Sequence, residues 1–150
     1  MTVELTRTLY TATAKALGGR SGTVVTDDGR LTARLAPPRK RVPEATNPEQ
    51  LFAAGFAACF GSALAEVAGD SSLDATTARV TCQVELGTTA TSAGYGLAVT
   101  LSVAVPGWKP ADLLPFLHKA DATCPYSQAV RGNIPLSLVA LDADEVGDEG

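Results

Sequence analysis

The sequence predicts an α+β domain, with a mainly antiparallel sheet and a buried central helix. Three observations carry that prediction. Stretches of alternating apolar and polar residues come in hairpin-length pairs. One long run, LFAAGFAACFGSALAEVAG from Leu51, is apolar on every face of a helix and reads as buried all round. The 150 residues are 45% hydrophobic and 19% charged, enough apolar material for a single core that hides roughly two-thirds of the unfolded surface.

Residues 4–16 alternate Thr with Leu5, Leu9, Tyr10, Ala12 and Ala14, a strand pattern. Gly18-Gly19-Arg20-Ser21-Gly22 reads as a turn. Thr23–Thr26 and Arg30–Leu35 flank Asp27-Asp28-Gly29, a hairpin signal because Gly accepts the positive φ such turns need. Residues 36–46, with Pro37, Pro38, Pro43 and Arg39-Lys40-Arg41, form a loop. Asn47-Pro48-Glu49-Gln50 then opens the apolar helix: Asn suits the cap, Pro the first helical position, and Gln three after the cap closes a capping box. Gly55 and the alanines allow another element to approach closely. Residues 78–88 and 95–105 are two further strands. Residues 109–122 read as a helix that Pro115 threatens to kink or delay, a short helix follows Pro125, and Ile134–Leu141 is a last strand. The order is β-β-β-α-β-β-α-α-β, one domain over residues 1–141, with no repeats or linker.

Charge excludes some functions. The net charge of −4 comes from the end of the chain, where Asp142, Asp144, Glu145, Asp148 and Glu149 make residues 142–150 an acidic tail, read as solvated and frayed. Without those five acids, twelve bases face eleven acids, and no basic face marks a nucleic-acid binder. The start of the chain shows no secretory pattern, and the stretch from about Leu51 to Ala65 is too short for a membrane span. These features point to the cytoplasm, without a nucleic-acid or membrane partner. A helix so apolar in so small a domain needs cover on the side away from the sheet, which a homodimer supplies.

Three cysteines make no disulfide scaffold in such a chain. Cys82 falls on the apolar face of a strand with Val80 and Val84 and reads as core. Cys59, inside the apolar helix, is by itself a small buried hydrophobe. Cys124 precedes Pro125 at a helix start, where backbone N–H groups favour a thiolate. Cys124-Pro125-Tyr126-Ser127 looks like the glutaredoxin redox tetrapeptide with Ser in place of its second Cys, but only 26 residues follow, too few for that fold. His118 is the only histidine and reads as a surface or packing residue; no spacing suggests a metal site, and no cofactor is expected.

Taken together, these motifs resemble a family. Asn47 through Phe60 is similar to the signature helix of the organic hydroperoxide resistance (Ohr) proteins of the OsmC/Ohr superfamily. Cys124-Pro125-Tyr126-Ser127 with Arg131-Gly132-Asn133-Ile134 is similar to a second signature, and Gly18–Gly22 to a third. The resemblance implies an intertwined α+β homodimer. It implies a thiol peroxidase that reduces organic hydroperoxides to alcohols and is itself reduced by a dithiol, a dihydrolipoyl group on a lipoylated protein. It assigns Cys59 as the peroxidatic cysteine, Cys124 as the resolving one, and Arg20 and Glu49 as the pair that tunes Cys59.

The chemistry is consistent with those assignments. A thiol in an apolar helix resists ionising; a guanidinium, always charged, stabilises the thiolate and can donate to the developing alkoxide. Glu49 can orient that guanidinium. Leu51, Phe52, Phe56, Phe60 and Tyr126 can line an apolar pocket suited to alkyl or lipid peroxides. Glu49 and Cys59 are separated by about 15 Å of rise on a continuous helix, so Glu49 and Arg20 are expected to reach Cys59 from the partner chain.

Two positions depart from the family pattern: Pro38 to Ala45 replaces a glycine-rich stretch, and Asp121 stands where a histidine is usual, an acid that opposes ionisation of Cys124. Arg131 taken alone suits carbonyls at a helix end as well as substrate. The competing reading is a dimeric, non-catalytic binding protein for apolar ligands, which would not need the quartet Arg20, Glu49, Cys59 and Cys124. An OsmC-type relative of broader peroxide range is disfavoured by the second signature.

Overall fold

The computed structural model describes residues 2–145, divided between two units, Met1–Pro48 and Glu49–Gly150. In the first unit, strands β1 (Ala14–Leu17), β2 (Thr23–Thr26), β3 (Thr32–Leu35) and β4 (Ala45–Thr46) form one sheet in that order. The first two pairings are antiparallel and β3–β4 is parallel. The strand expected over 4–16 is therefore much shorter. A strand needs a partner for its backbone groups, and β2 offers one only from Ala14 to Leu17. Leu5, Leu9 and Tyr10 before it stay about 80% exposed.

The hairpin forms as expected. Gly29 takes φ 72°, and the Asp28 carboxylate accepts from the Arg30 main chain (3.0 Å) and the Thr26 hydroxyl (2.8 Å). Those two bonds, the main-chain one foremost, hold the Asp28 carboxyl below its usual range. The loop before the long helix contains a 3-10 turn, Pro38–Lys40, and two non-glycine residues in the left-handed region, Arg41 (φ 44°) and Glu44 (φ 61°). Each costs of the order of 1 kcal/mol or more.

The second unit opens with helix α1, Pro48–Ala68, 21 residues long. Strands β5 (Arg79–Thr88), β6 (Tyr95–Ala104) and β7 (Leu136–Leu141) form its sheet, with helices α2 (Pro110–Thr123) and α3 (Pro125–Val130) between β6 and β7. β5 and β6 pair antiparallel over ten residues each, from Arg79↔Ala104 to Thr88↔Tyr95. β6 and β7 run parallel, because a helical crossover rather than a hairpin joins them. The fold is α+β, as the sequence predicts, with a parallel pair in each sheet.

The core of this unit packs Phe56, Phe60 and Leu64 of α1 with Val99, Leu101 and Val103 of β6 and Leu113 and Leu117 of α2, all at most 2% exposed. Pro115 does not end α2: it is exposed, while Leu113, Leu117 and Ala120 anchor the opposite face and Phe116 packs edge-on against Trp108 at 5.4 Å. The burial of α1 is one-sided within a single chain. Phe56, Phe60, Ala63, Leu64 and Ala68 are buried, but Ala54, Ala58 and Ala65 are exposed, so burial all round is not reached by one chain alone. Although 51–65 is shorter than a membrane span, the whole helix is long and apolar enough for one, with mean hydropathy 1.7; its large side chains instead fill the core. The acidic tail begins tied down rather than frayed: Asp142 bonds Lys109 Nζ at 3.2 Å and accepts from the Asp144 main chain at 3.1 Å. Asp148 and Glu149 lie outside the described residues.

Candidate active site

Helix α2 carries a stripe at helical spacing, Leu113, Leu117 and Ala120, which faces the core. Cys124 continues that stripe, so the same pattern that docks α2 buries this sulfur completely. Cys124 is also the hinge between two helices, ending α2 and preceding Pro125 of α3 at φ −65°, ψ 120°. On α1, Cys59 lies one turn beyond Phe56 and is half-buried against the core. The two sulfurs stand 3.6 Å apart, with the Cys124 thiol directed at Cys59.

Three aromatic rings gather one to two turns before Cys59. Phe52 and Phe56, a turn apart on α1, contact each other at 5.9 Å, and Tyr126 meets them at 6.2 and 5.6 Å. Gly55 makes room for the tyrosine. A Cβ there would lie 2.9 Å from the Tyr126 hydroxyl and 3.2 Å from its ring, which is the close approach that a glycine in this helix predicts. Burial pushes the Cys59 thiol above its ordinary value, the main-chain N–H of Tyr126 pulls it back, and the neighbouring Cys124 adds to the rise.

Of the residues singled out from sequence, the structure brings together Cys59, Cys124, Phe52, Phe56 and Tyr126. Phe60 is fully buried in the core, and Leu51 is half-buried on the first turns of α1. Glu49 sits in the first turn of the same unbroken helix as Cys59, ten residues away, so the separation of about 15 Å along the axis holds. Arg20 is exposed in the turn Gly19–Ser21 of the first unit. Among the described residues, no group of three or more His, Cys, Asp or Glu is placed to hold a metal, and His118 is exposed.

The chain has relatives of known family. A family model described as OsmC-like protein matches residues 41–139. The organic hydroperoxide resistance protein of Xanthomonas axonopodis pv. citri is 44% identical over 135 residues, 88% of this chain and 94% of that one. The chain belongs to the OsmC-like family, on its Ohr branch. OhrA of Bacillus subtilis is likewise 44% identical, over 138 residues, 89% of this chain and 97% of that one. Among solved structures, an organic hydroperoxide resistance protein from Legionella pneumophila superposes with a TM-score of 0.81 at 43% identity, covering 89% of this chain and 98% of that one.

Two features of this Ohr-branch chain escaped sequence reasoning. The Tyr126 main-chain donor has no side-chain signature; only its place after Cys-Pro hints at it. The second is a pairing. Asp121 does not stand as an uncompensated acid beside Cys124, because Arg131 Nη2 bonds its carboxylate at 3.1 Å and its main-chain carbonyl as well. Arg131 therefore binds a helix end.

Proposed function

We propose that this protein is a thiol peroxidase that reduces organic hydroperoxides to alcohols, with Cys59 as the attacking thiol and Cys124 as the resolving one. The observation that carries the reading is the 3.6 Å separation of the two sulfurs beneath an aromatic cluster. The names of its relatives, organic hydroperoxide resistance proteins, support the substrate class. The Cys59 thiolate attacks the outer oxygen of ROOH, the O–O bond breaks, and RO⁻ takes a proton to leave as the alcohol, with Cys59 left as sulfenic acid. The Cys124 thiolate then displaces hydroxide from that sulfur, which departs as water, and a disulfide remains. An external dithiol, such as a dihydrolipoyl group on a lipoylated protein, reopens the disulfide by exchange. Phe52, Phe56 and Tyr126 favour an alkyl group over the bare proton of hydrogen peroxide, with Leu51 and Phe60 behind them.

Cys59 needs a cation, since burial and Cys124 both oppose its ionisation. Arg20 is the guanidinium we assign, oriented by Glu49. Because Glu49 cannot reach the Cys59 of its own helix, we place both on the partner subunit of a homodimer. The exposed side chains of Leu5, Leu9, Tyr10 and Leu17, and the bare alanines of α1, are the apolar surface such a dimer would cover. The setting we propose is the cytoplasm, where reducing dithiols are present.

Consumption of cumene hydroperoxide with dihydrolipoamide as reductant tests the proposal. Cys59→Ser is expected to abolish turnover, and Cys124→Ser to oxidise once and then stall or over-oxidise. Turnover by Cys59→Ser at the wild-type rate would end the enzyme reading.

A further inference from the structure

We infer that Asp121 and Arg131 form a clamp that positions the resolving thiol, locking the last turn of α2 to the end of α3 so that Cys124 stays opposite Cys59. The inference rests on the peroxidase reading and adds to it two positioning residues.

Cys124 is a single extended residue between two helices. Its N–H donates to Ala120 and its carbonyl accepts from Gln128, so each bond ties it to one helix alone. A one-residue hinge leaves the angle between the helices free to vary unless something spans it. Arg131 spans it. From the residue that ends α3, its Nη2 reaches back ten residues, three of them beyond Cys124, to the Asp121 carbonyl and, at 3.1 Å, to the Asp121 carboxylate. Gln128 adds a weaker brace, its amide lying 3.4 Å from the carbonyls of Ala122 and Thr123. These carbonyls belong to the last turn of α2 and lack helical partners of their own.

The charges agree with this role. A carboxylate in the last turn of a helix meets the negative end of the helix dipole. The second carboxylate oxygen of Asp121 is buried without a hydrogen-bond partner among the described residues. Such a group is tolerable beside a guanidinium and costly without one. The charge of Asp121 is thereby paired by the residue that fixes the hinge.

The consequence is kinetic. The sulfurs are 3.6 Å apart and a disulfide needs about 2.05 Å, so closure requires an approach of about 1.5 Å from this hinge or its side chains. In that step the Cys59 S–O bond breaks, the S–S bond forms, and hydroxide leaves with a proton as water. A second hydroperoxide competes for the same sulfenic acid and carries it irreversibly to sulfinic acid. A misplaced Cys124 therefore slows closure and raises over-oxidation more than it slows the first attack, which α3 reaches only through the Tyr126 amide.

The test follows both steps in a single turnover of the full-length protein with cumene hydroperoxide, quenched and read by mass spectrometry. Arg131→Gln is expected to slow disulfide closure roughly tenfold or more, to slow sulfenic acid formation far less, and to accumulate sulfinic acid at Cys59. Arg131→Lys, which keeps a cationic donor, is expected to recover most of the closure rate. Should Arg131→Gln not fold, Asp121→Asn keeps the side chain's shape and is expected to show the same split between the steps at smaller size. Closure at the wild-type rate in these variants would overturn the clamp, as would parallel slowing of both steps without rescue by Arg131→Lys. A wild-type protein whose Cys59 never reacts would instead sink the peroxidase reading itself.

Discussion

Cys82 and the Cys59–Cys124 pair lie in the same unit and in contact with the same core, yet only the pair brings two sulfurs within 3.6 Å. Cys82 sits on β5 opposite Leu101, with Val80 and Val84 on the same face, and burial alone pushes its thiol up to about 11. Cys59 experiences the same desolvation, but it also receives a main-chain N–H from Tyr126 and faces a second sulfur at 3.6 Å. Burial by itself silences a thiol. A donor and a partner sulfur are what set Cys59 apart from a packing residue, and the turn that joins α2 to α3 supplies both.

The comparison breaks most visibly in the products of oxidation. After one equivalent of cumene hydroperoxide without reductant, peptide mapping is expected to find Cys59 linked to Cys124 in nearly every chain, with Cys82 still open to alkylation after denaturation. A linkage through Cys82, or loss of its thiol at the rate of the other two, would erase the distinction.

A smaller effect is expected from Gly55→Ala, which acts on the pair and leaves the β5 thiol untouched. The added methyl meets the Tyr126 hydroxyl at 2.9 Å and its ring at 3.2 to 3.4 Å, so the side chain must shift, and it can, being 39% exposed. The helix gains up to about 1 kcal/mol from losing a glycine, which offsets the crowding, so the melting temperature should stay close to that of the wild type. Moving Tyr126 also moves the main-chain donor at Cys59. Oxidation of Cys59 is expected to slow roughly tenfold, measured by stopped-flow fluorescence or competition with a reference thiol. An unchanged rate with a displaced ring would show that the Tyr126 amide contributes nothing.

How much of this was legible in the sequence depends on whether the signal was local. The cap at Asn47, the Asp28-Gly29 turn and the alternation in β5 and β6 are local, and each element appears where those residues predict it. The strand pattern over 4–16 predicts more than forms, because Leu5, Leu9 and Tyr10 have strand character but no strand beside them among the described residues. The parallel β6–β7 pairing was hidden as well, since adjacency of residues distant in sequence leaves no local trace. At the site, the two cysteines were legible through their motifs. The sequence suits Arg131 to a helix end or to substrate, and the geometry decides for Asp121. The Tyr126 amide could not be foreseen, because a backbone donor acquires its meaning only from the fold.

The smallest expected effect concerns the inert thiol. The folded chain holds Cys82 protonated to about 11, against an ordinary value of 9.0. As pH rises past the ordinary value the unfolded chain ionises first, so it binds fewer protons than the folded one and stability falls with pH. This contribution is complete below pH 9.0 and is lost progressively up to about 11. The thiol of Cys59 is raised too and adds a loss of the same sign. Cys82→Ala should therefore reduce the alkaline loss without removing it, and the partial exposure of Cys82 keeps the difference small. Urea unfolding from about pH 8 to about pH 10.5 measures it, with peroxidase turnover expected to match the wild type throughout. Equal slopes for the two proteins would mean that β5 does not shelter this sulfur, and the contrast with Cys59 would then have to rest on geometry alone.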